Sequence, residues 1–377
     1  MQFNSNTLTL HQHQYRSADE QYQYHWIMAG RMMLKHGRRR YCFRQALRAT
    51  CAHLCPPPAA NPSLPIYHSV RHQSFHHTSF HNTHASPSQS YEPKNPTNVR
   101  INIKDHVKIK SLGQGIVNVV LSRPNKLNSL CIPMFEAIAE AASMLQNDRE
   151  LNKDLRVVII SGEGRAFCSG LDAKGVALSG PKSSLNKLLK RPSGYGGDDG
   201  PGNLAQDVCY LWRKLPVPVI AVLHGYCFGG GLQIALGADF RFATPDCKLS
   251  IMESRWGLIP DMSASIVLRE LVRIDVAKEL TMTGRLIDAV EAESLGLVTR
   301  CVDDPMEEAM KVAREIIGRS PDSVAASKEL FQTTWMEGDD ATCLEKETTL
   351  QLKLIGTWNQ AAAAGRQFGI NLPYWNK

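Results

Sequence analysis

Two glycine-containing stretches of this chain have the composition needed to bind a developing negative charge. One reads FCSGLD at 167–172 and the other reads FGGGLQ at 228–233, and each follows an apolar run. Glycine lets the backbone turn sharply and approach a ligand closely. At a helix start the first backbone N–H groups have no intrahelical partner. Two such amides that converge on one point would stabilise an oxyanion such as a thioester enolate, with help from the helix dipole.

Three polar side chains accompany these glycines as candidates for proton chemistry. Gln233 follows the triplet, and Glu253 lies between the apolar flanks LSIM and WGLIP, eight residues before Asp261. A carboxylate in such surroundings is a candidate acid or base. Gln233 cannot exchange a proton at neutral pH, but it can orient water. Simpler roles stay open: a surface charge for Glu253, a helix cap for Asp261 and a plain polar helix position for Gln233.

The elements that must position these residues follow an α/β pattern. Continuous apolar strands are predicted at 155–161 and 216–226, of the kind that is buried on both faces of a sheet. Helical periodicity precedes them at 134–148 and 202–215. Strands that alternate with helices predict right-handed crossovers and parallel pairing. After residue 262 the pattern is mainly helical, with a strand candidate at LVTRCV.

Charge divides the 377-residue chain into a basic tail and a neutral body. Residues 1–98 contain ten Lys and Arg but three acidic residues, whereas 99–377 has no net charge. We therefore predict a disordered basic tail at 1–98, a core at 99–265 and a helical C-terminal region at 266–377. A neutral body argues against nucleic acid as a partner. No apolar run approaches the ~18 residues of a membrane span.

The tail contains an Arg-rich segment without acidic residues, 28–54, which resembles a mitochondrial presequence. Translation from Met28, Met32 or Met33 would place it at the N-terminus, and the mitochondrial matrix is the expected location. A basic tail without targeting value is the alternative. The histidines of the tail lack the spacing of a metal site, so no metal is predicted. The ten cysteines form no C-x-x-C pair, which fits a reducing compartment.

Four motifs in order carry a resemblance to a known family. They are SRPNKLNSL at 122–130, FCSGLD, the glycine triplet, and MESRWGLIPD at 252–261. Together they closely resemble the enoyl-CoA hydratase/isomerase (crotonase) superfamily, from about residue 105 to the C-terminus. The resemblance implies an α/β fold, a crotonase-like spiral of ββα units with a helical C-terminal region. It also implies an acyl-CoA substrate, no cofactor beyond the coenzyme A of that substrate, and a homotrimer or hexamer.

The resemblance also assigns site residues. It implies that the amides of Leu171 and Gly230 form the oxyanion hole. Residues that correspond to the part of the family that holds the CoA nucleotide are Lys126, Ala166, Ser169, Gly170 and Asp172. The long connection at 173–202 is predicted to shape the acyl pocket.

The catalytic side chains depart in part from the family pattern. Hydratases of the family have glutamates at the positions of Gln233 and Glu253, whereas the dienoyl-CoA isomerase has an aspartate at the position of Asp261. That isomerase also has an aspartate at the position of Gln233. The resemblance predicts a double-bond isomerase that works through Glu253 with Asp261. Its alternatives are a 2-enoyl-CoA hydratase in which Gln233 orients water, and a non-catalytic acyl-CoA-binding module.

Overall fold

The computed structural model describes residues 100–172, 186–197, 200–336, 338–367 and 369–375. These residues belong to one compact unit, Gln89–Lys377. The predicted presequence at 28–54 lies outside the described residues, and so does much of the predicted acyl-pocket loop. Both predictions stay untested.

A seven-stranded sheet forms the centre of the unit. Its strands run in the order β1-β2-β3-β4-β5-β7-β10, with the β1, β2 and β3 neighbours antiparallel and the rest parallel. Their bounds are β1 Arg100–Ile103, β2 Val107–Gly113, β3 Ile116–Leu121, β4 Val157–Gly162, β5 Val219–Leu223, β7 Phe240–Ala243 and β10 Arg300–Cys301. β4 and β5 are the two predicted apolar strands, and their side chains are buried on both faces.

A smaller sheet has the order β6-β8-β9, formed by Tyr226–Phe228, Lys248–Ser250 and Ile287–Asp288. Two successive turns of the chain give one strand to each sheet before a helical segment follows. Thus β5 of the large sheet leads to β6 of the small one, and β7 leads to β8. This alternation is the spiral of ββα units that the resemblance predicts.

Helices cover both faces of the large sheet. Their bounds are α1 Ile132–Asn147, α2 Arg149–Asn152, α3 Leu204–Lys214, α4 Gly230–Leu236, α5 Ala264–Leu271, α6 Ile274–Thr283, α7 Ala289–Ser294, α8 Pro305–Ile317, α9 Pro321–Thr334, α10 Asp340–Leu354 and α11 Trp358–Gln367. One core cluster includes apolar side chains of α1, α3 and α4, and a second, on the other sheet face, includes Ala309 and Ala313 of α8. The cap of α3 is a reciprocal pair, since Asn203 and Gln206 each accept from the other's backbone amide.

The C-terminal region is less separate than the sequence suggests. The predicted boundary at residue 265 falls inside α5, and β9 and β10, which follow it, complete the two sheets of the core. β10 lies in the predicted strand candidate LVTRCV, which is confirmed. β9 was not predicted, because a two-residue strand is defined by its partner strand and leaves little periodicity in the sequence. No helix in the described ranges is long and apolar enough to cross a membrane.

Candidate active site

The two glycine stretches lie side by side in the fold. Cys168 and Cys227 form a parallel bridge, and the amide of Phe228 donates to the carbonyl of Cys168 at 3.0 Å. A second bridge joins Leu130 to Leu171. The segment that follows β4 and the segment at the end of β6 therefore lie next to each other. Two amides that converge on one atom require such an arrangement.

Glycine is required at this junction for space as well as for conformation. Gly170 has φ +85°, and a Cβ there would lie 2.8 Å from the carbonyl oxygen of Phe228. Gly229 has φ +51° and ψ −122°, a backbone conformation that residues other than glycine rarely adopt. A Cβ at Gly231 would lie 2.5 Å from the carbonyl oxygen of Cys168. The glycines hold two backbone segments closer together than any larger residue permits.

The predicted oxyanion amides are available for a ligand. Leu171 follows Gly170 directly, and Gly230 is the first residue of α4. Within the described part of the chain, neither amide donates to a backbone carbonyl. The start of α4 adds the partial positive charge of a helix N-terminus. These are the properties of donors that are organised for an oxyanion before it forms.

The side chain of Gln233 lies between the carboxylate of Glu253 and the backbone amide of Met262. Its Nε2 donates to Oε1 of Glu253 at 2.6 Å, and its Oε1 accepts from the amide of Met262 at 2.8 Å. A carboxylate can only accept and an amide N–H can only donate, so the orientation of the Gln233 side chain is fixed by its partners. Gln233 is buried in α4. It holds the carboxylate of Glu253 in place.

The second oxygen of Glu253 is the candidate reactive atom. Glu253 begins a short 3-10 helix, Glu253–Trp256. Its Oε2 is buried and has no hydrogen-bond partner in the described ranges. Burial raises the pKa of Glu253, the charge of Asp261 raises it further, and the hydrogen bond from Gln233 opposes the rise. A carboxylate with a raised pKa and a free oxygen is suited to proton transfer.

Asp261 is close enough to Glu253 to affect its pKa, and it does not cap the next helix. The N-cap of α5 is Ser263, without a side-chain hydrogen bond. Partial burial raises the pKa of Asp261, although the residue as a whole is exposed. Its exposure means that this carboxylate is better solvated than that of Glu253. The structure thus favours an electrostatic role beside Glu253 over the cap.

The segment predicted to hold CoA is fixed by two residues to which the sequence analysis gave no individual role. Asn128 is fully buried, and its Nδ2 donates to the carbonyls of Ala166 at 2.8 Å and Glu163 at 2.9 Å. Arg123 Nη1 lies 2.9 Å from Oδ2 of Asp172 and also donates to Ser129. Both belong to the motif SRPNKLNSL. Their polar side chains within this motif were the only indication in the sequence that they have a structural role.

The remaining predicted CoA residues lie on the same two segments. The amide of Ser169 donates to the carbonyl of Leu127 at 3.0 Å. Lys126 ends the 3-10 helix Pro124–Lys126 and is exposed. Gly170 is buried, and its carbonyl accepts from Leu130. The arrangement brings the five predicted positions into one region, with Asp172 held by Arg123 as part of the scaffold.

The sequence of this chain is similar to one protein family and to individual proteins with related names. The family described as enoyl-CoA hydratase/isomerase matches residues 111–364. A carnitinyl-CoA dehydratase of Salmonella typhi is 33% identical over 222 residues, which cover 58% of this chain and 77% of the relative.

Solved structures agree with the fold. An enoyl-CoA hydratase of Bacillus anthracis superposes with a TM-score of 0.62 at 26% identity, covering 72% of this chain and 99% of that one. A putative enoyl-CoA hydratase of Thermobifida fusca, solved in complex with acetoacetyl-CoA, gives a TM-score of 0.56 at 25% identity, covering 67% and 95%. These similarities confirm the crotonase fold that the sequence motifs predict.

Proposed function

The chain belongs to the enoyl-CoA hydratase/isomerase family, and we propose that it is the kind of member that moves a carbon–carbon double bond along an acyl-CoA thioester. The observation that carries this proposal is the pairing of Glu253 with Gln233. One ionisable group and one amide stand where hydration by the family needs two carboxylates. A shift of a double bond needs one base that removes a proton and returns it elsewhere.

The first step of the proposed reaction is the formation of an enolate. The thioester oxygen would accept from the amides of Leu171 and Gly230, which stabilises the negative charge as it develops. Oε2 of Glu253 would remove a proton from the carbon next to the thioester. Oε1 stays hydrogen-bonded to Gln233, so the carboxylate keeps its orientation during the transfer.

The second step returns the proton at the other end of the conjugated system. Glu253, now protonated, would deliver it to the distal carbon, and the double bond comes into conjugation with the thioester. Asp261 increases the basicity of Glu253 through its charge. Its more exposed carboxylate is also the candidate second group for a substrate with two double bonds.

A hydro-lyase is the second candidate, because the relatives reported above are named dehydratase and hydratase. In that reaction Gln233 would have to orient water for Glu253. Its Oε1 already accepts from the amide of Met262, and its Nε2 donates to Glu253. These contacts support a positioning role for Gln233, and a single base, Glu253, is what the isomerase needs.

An oligomer is part of the proposal. Large apolar side chains of the C-terminal region are exposed in the single chain; they include Phe331, Trp335, Leu344, Leu352 and Ile355. A set of this kind on one region is typical of a protein–protein interface. The homotrimer or hexamer implied by the resemblance remains a prediction.

An absorbance assay tests the proposed reaction. We expect the full-length protein to convert a 3-enoyl-CoA to the conjugated 2-enoyl-CoA, seen as an increase in the absorbance of the conjugated thioester. A loss of that absorbance when a 2-enoyl-CoA is supplied would favour the hydratase. No turnover of either substrate, with binding of acyl-CoA retained, would favour the binding module.

The pH dependence of kcat tests the role of Gln233. Glu253 acts as a base only when ionised, so kcat is expected to fall as the pH drops through its pKa, which lies above the ordinary 4.5. The hydrogen bond from Gln233 lowers this pKa. Gln233→Leu should therefore move the acidic limb of the profile to higher pH. A limb that stays in place, or moves to lower pH, would contradict the positioning role.

A matched substitution controls for the loss of an amide. Gln351→Leu makes the same chemical change at an exposed position of α10. It should leave the pH profile unchanged. Circular dichroism of both variants checks that the buried substitution has not altered the fold.

A further inference from the structure

A thiol and an imidazole are in contact at the N-terminus of α1, and neither residue is assigned to proton transfer. Sγ of Cys131 lies 3.3 Å from Nε2 of His106. Cys131 is the N-cap of α1, and His106 lies in the turn between β1 and β2. Both residues are partly exposed to solvent. Solvent therefore has partial access to both residues.

The tautomer of a neutral His106 ring follows from its second contact. Nδ1 of the ring contacts the carbonyl oxygen of Lys104. A carbonyl can only accept, so Nδ1 carries the proton and Nε2 presents its lone pair. That lone pair faces Sγ of Cys131. The thiol thus has a base in hydrogen-bond contact, and that base is held in the correct tautomer by the backbone.

The position of Cys131 in the fold adds to this arrangement. α1 has 16 residues, and the N-cap lies at its positive end. The side chain of Cys131 caps no backbone amide of α1. The sulfur is therefore available for reaction.

The other described thiols lack this combination. Cys168, Cys209, Cys227 and Cys247 are buried, and burial raises the pKa of each, to about 12 for Cys168, Cys209 and Cys247.

Two further thiols are partly exposed like Cys131. Burial raises the pKa of Cys301, and Sγ of Cys343 has a carbonyl oxygen at 3.9 Å as its partner. Within the ranges that the structure describes, Cys131 alone contacts an imidazole. Cys301 and Cys343 are therefore internal references for its reactivity.

We propose that Cys131 is a site of covalent modification by α,β-unsaturated carbonyl compounds, with His106 as the base. Sγ forms a bond to the β carbon, and the π electrons of the double bond move to the α carbon. The thiol proton passes to Nε2 of His106 and then to the α carbon. The product is a thioether, and no oxidant, reductant or leaving group is involved. The reaction is independent of Glu253 and of the proposed isomerase activity.

N-Ethylmaleimide, a member of this class of electrophile, tests the proposal. The full-length protein is treated with less than one equivalent at neutral pH, and the modification of each cysteine-containing peptide is followed by mass spectrometry. We expect Cys131 to react about tenfold faster than Cys301 and Cys343. A rate at Cys131 equal to or below those of the two reference thiols would overturn the proposal.

His106→Asn provides the matched variant. The amide of asparagine takes the approximate place of Nδ1 and retains a donor for the Lys104 carbonyl, while the base at Nε2 is lost. We expect the rate at Cys131 to fall to that of the reference thiols, with the melting temperature unchanged. An unchanged rate in a folded variant would show that the imidazole has no part in it. If the variant does not fold, the order of the N-ethylmaleimide reaction rates of the three thiols in the unaltered chain still tests the proposal.

Discussion

Glu253→Gln is expected to lower kcat for the conversion of 3-enoyl-CoA by about 10²- to 10⁴-fold. The substitution keeps the size of the side chain and keeps an oxygen that can accept from Gln233. It removes the group that we propose takes up the proton. Because the oxyanion amides are unchanged, KM should change much less than kcat. Initial rates from the increase in conjugated-thioester absorbance give both constants.

Glu150→Gln is the control for this substitution. Glu150 lies in α2, and its side chain is 85% exposed, so the same chemical change there should leave kcat and KM unaltered. Full activity in Glu253→Gln would remove Glu253 from the reaction, whichever reaction that is. A matching fall in both variants would point to a defect of preparation and not of chemistry.

Gly170→Ala should lower kcat by about 10²-fold through the backbone alone. The added Cβ would lie 2.8 Å from the carbonyl oxygen of Phe228, and φ is +85°. Relief of this contact must separate the chain before Leu171 from the chain before Gly230. The two oxyanion amides would then no longer converge on one oxygen. The measurement is kcat with the same substrate, together with a thermal melt.

Gly113→Ala separates the conformational cost of alanine at positive φ from the steric contact of the added Cβ. Gly113 has the same φ of +85°, but a Cβ there has open space, and the residue ends β2 in the hairpin with β3. This variant should have the conformational cost without the loss of activity. Equal kcat in Gly170→Ala and the unaltered protein would mean that the close approach of the two chains is not needed for catalysis.

The strand–glycine–helix junction that carries Gly230 was predictable from sequence because its determinants are local. A buried strand, a glycine and a helix start follow one another within a few residues at 219–239, and each leaves a clear pattern. Glycine is informative there because conformation and space both exclude other residues, as at Gly170 and Gly231. The strands β4 and β5 were equally clear, since burial on both faces produces continuous apolar runs.

The candidate proton-transfer residues were predictable as a set, but the contacts between them were not. Gln233 and Glu253 were both candidates from their sequence context, but their hydrogen bond joins residues 20 positions apart. The contact of Gln233 with the Met262 amide spans 29 positions and involves a backbone group, which carries no sequence signal. The same applies to Asn128, whose acceptors are carbonyls of a distant segment.

The role of Asp261 shows how the structure narrows a choice that sequence leaves open. A cap and a catalytic neighbour are both compatible with an aspartate just before a helix. The N-cap position belongs to Ser263, and Asp261 instead acts on the pKa of Glu253. Such a choice depends on where the helix begins to within one or two residues, which is finer than sequence patterns can define.

The mass of the product tests the central claim most directly. The full-length protein is incubated with a 3-enoyl-CoA, and the thioester products are separated and weighed by mass spectrometry. An isomerase that works through Glu253 should give a product with the mass of the substrate and with the double bond in conjugation. A product that has gained the mass of one water, with no conjugated isomer of unchanged mass, would contradict the account and assign the site to hydration.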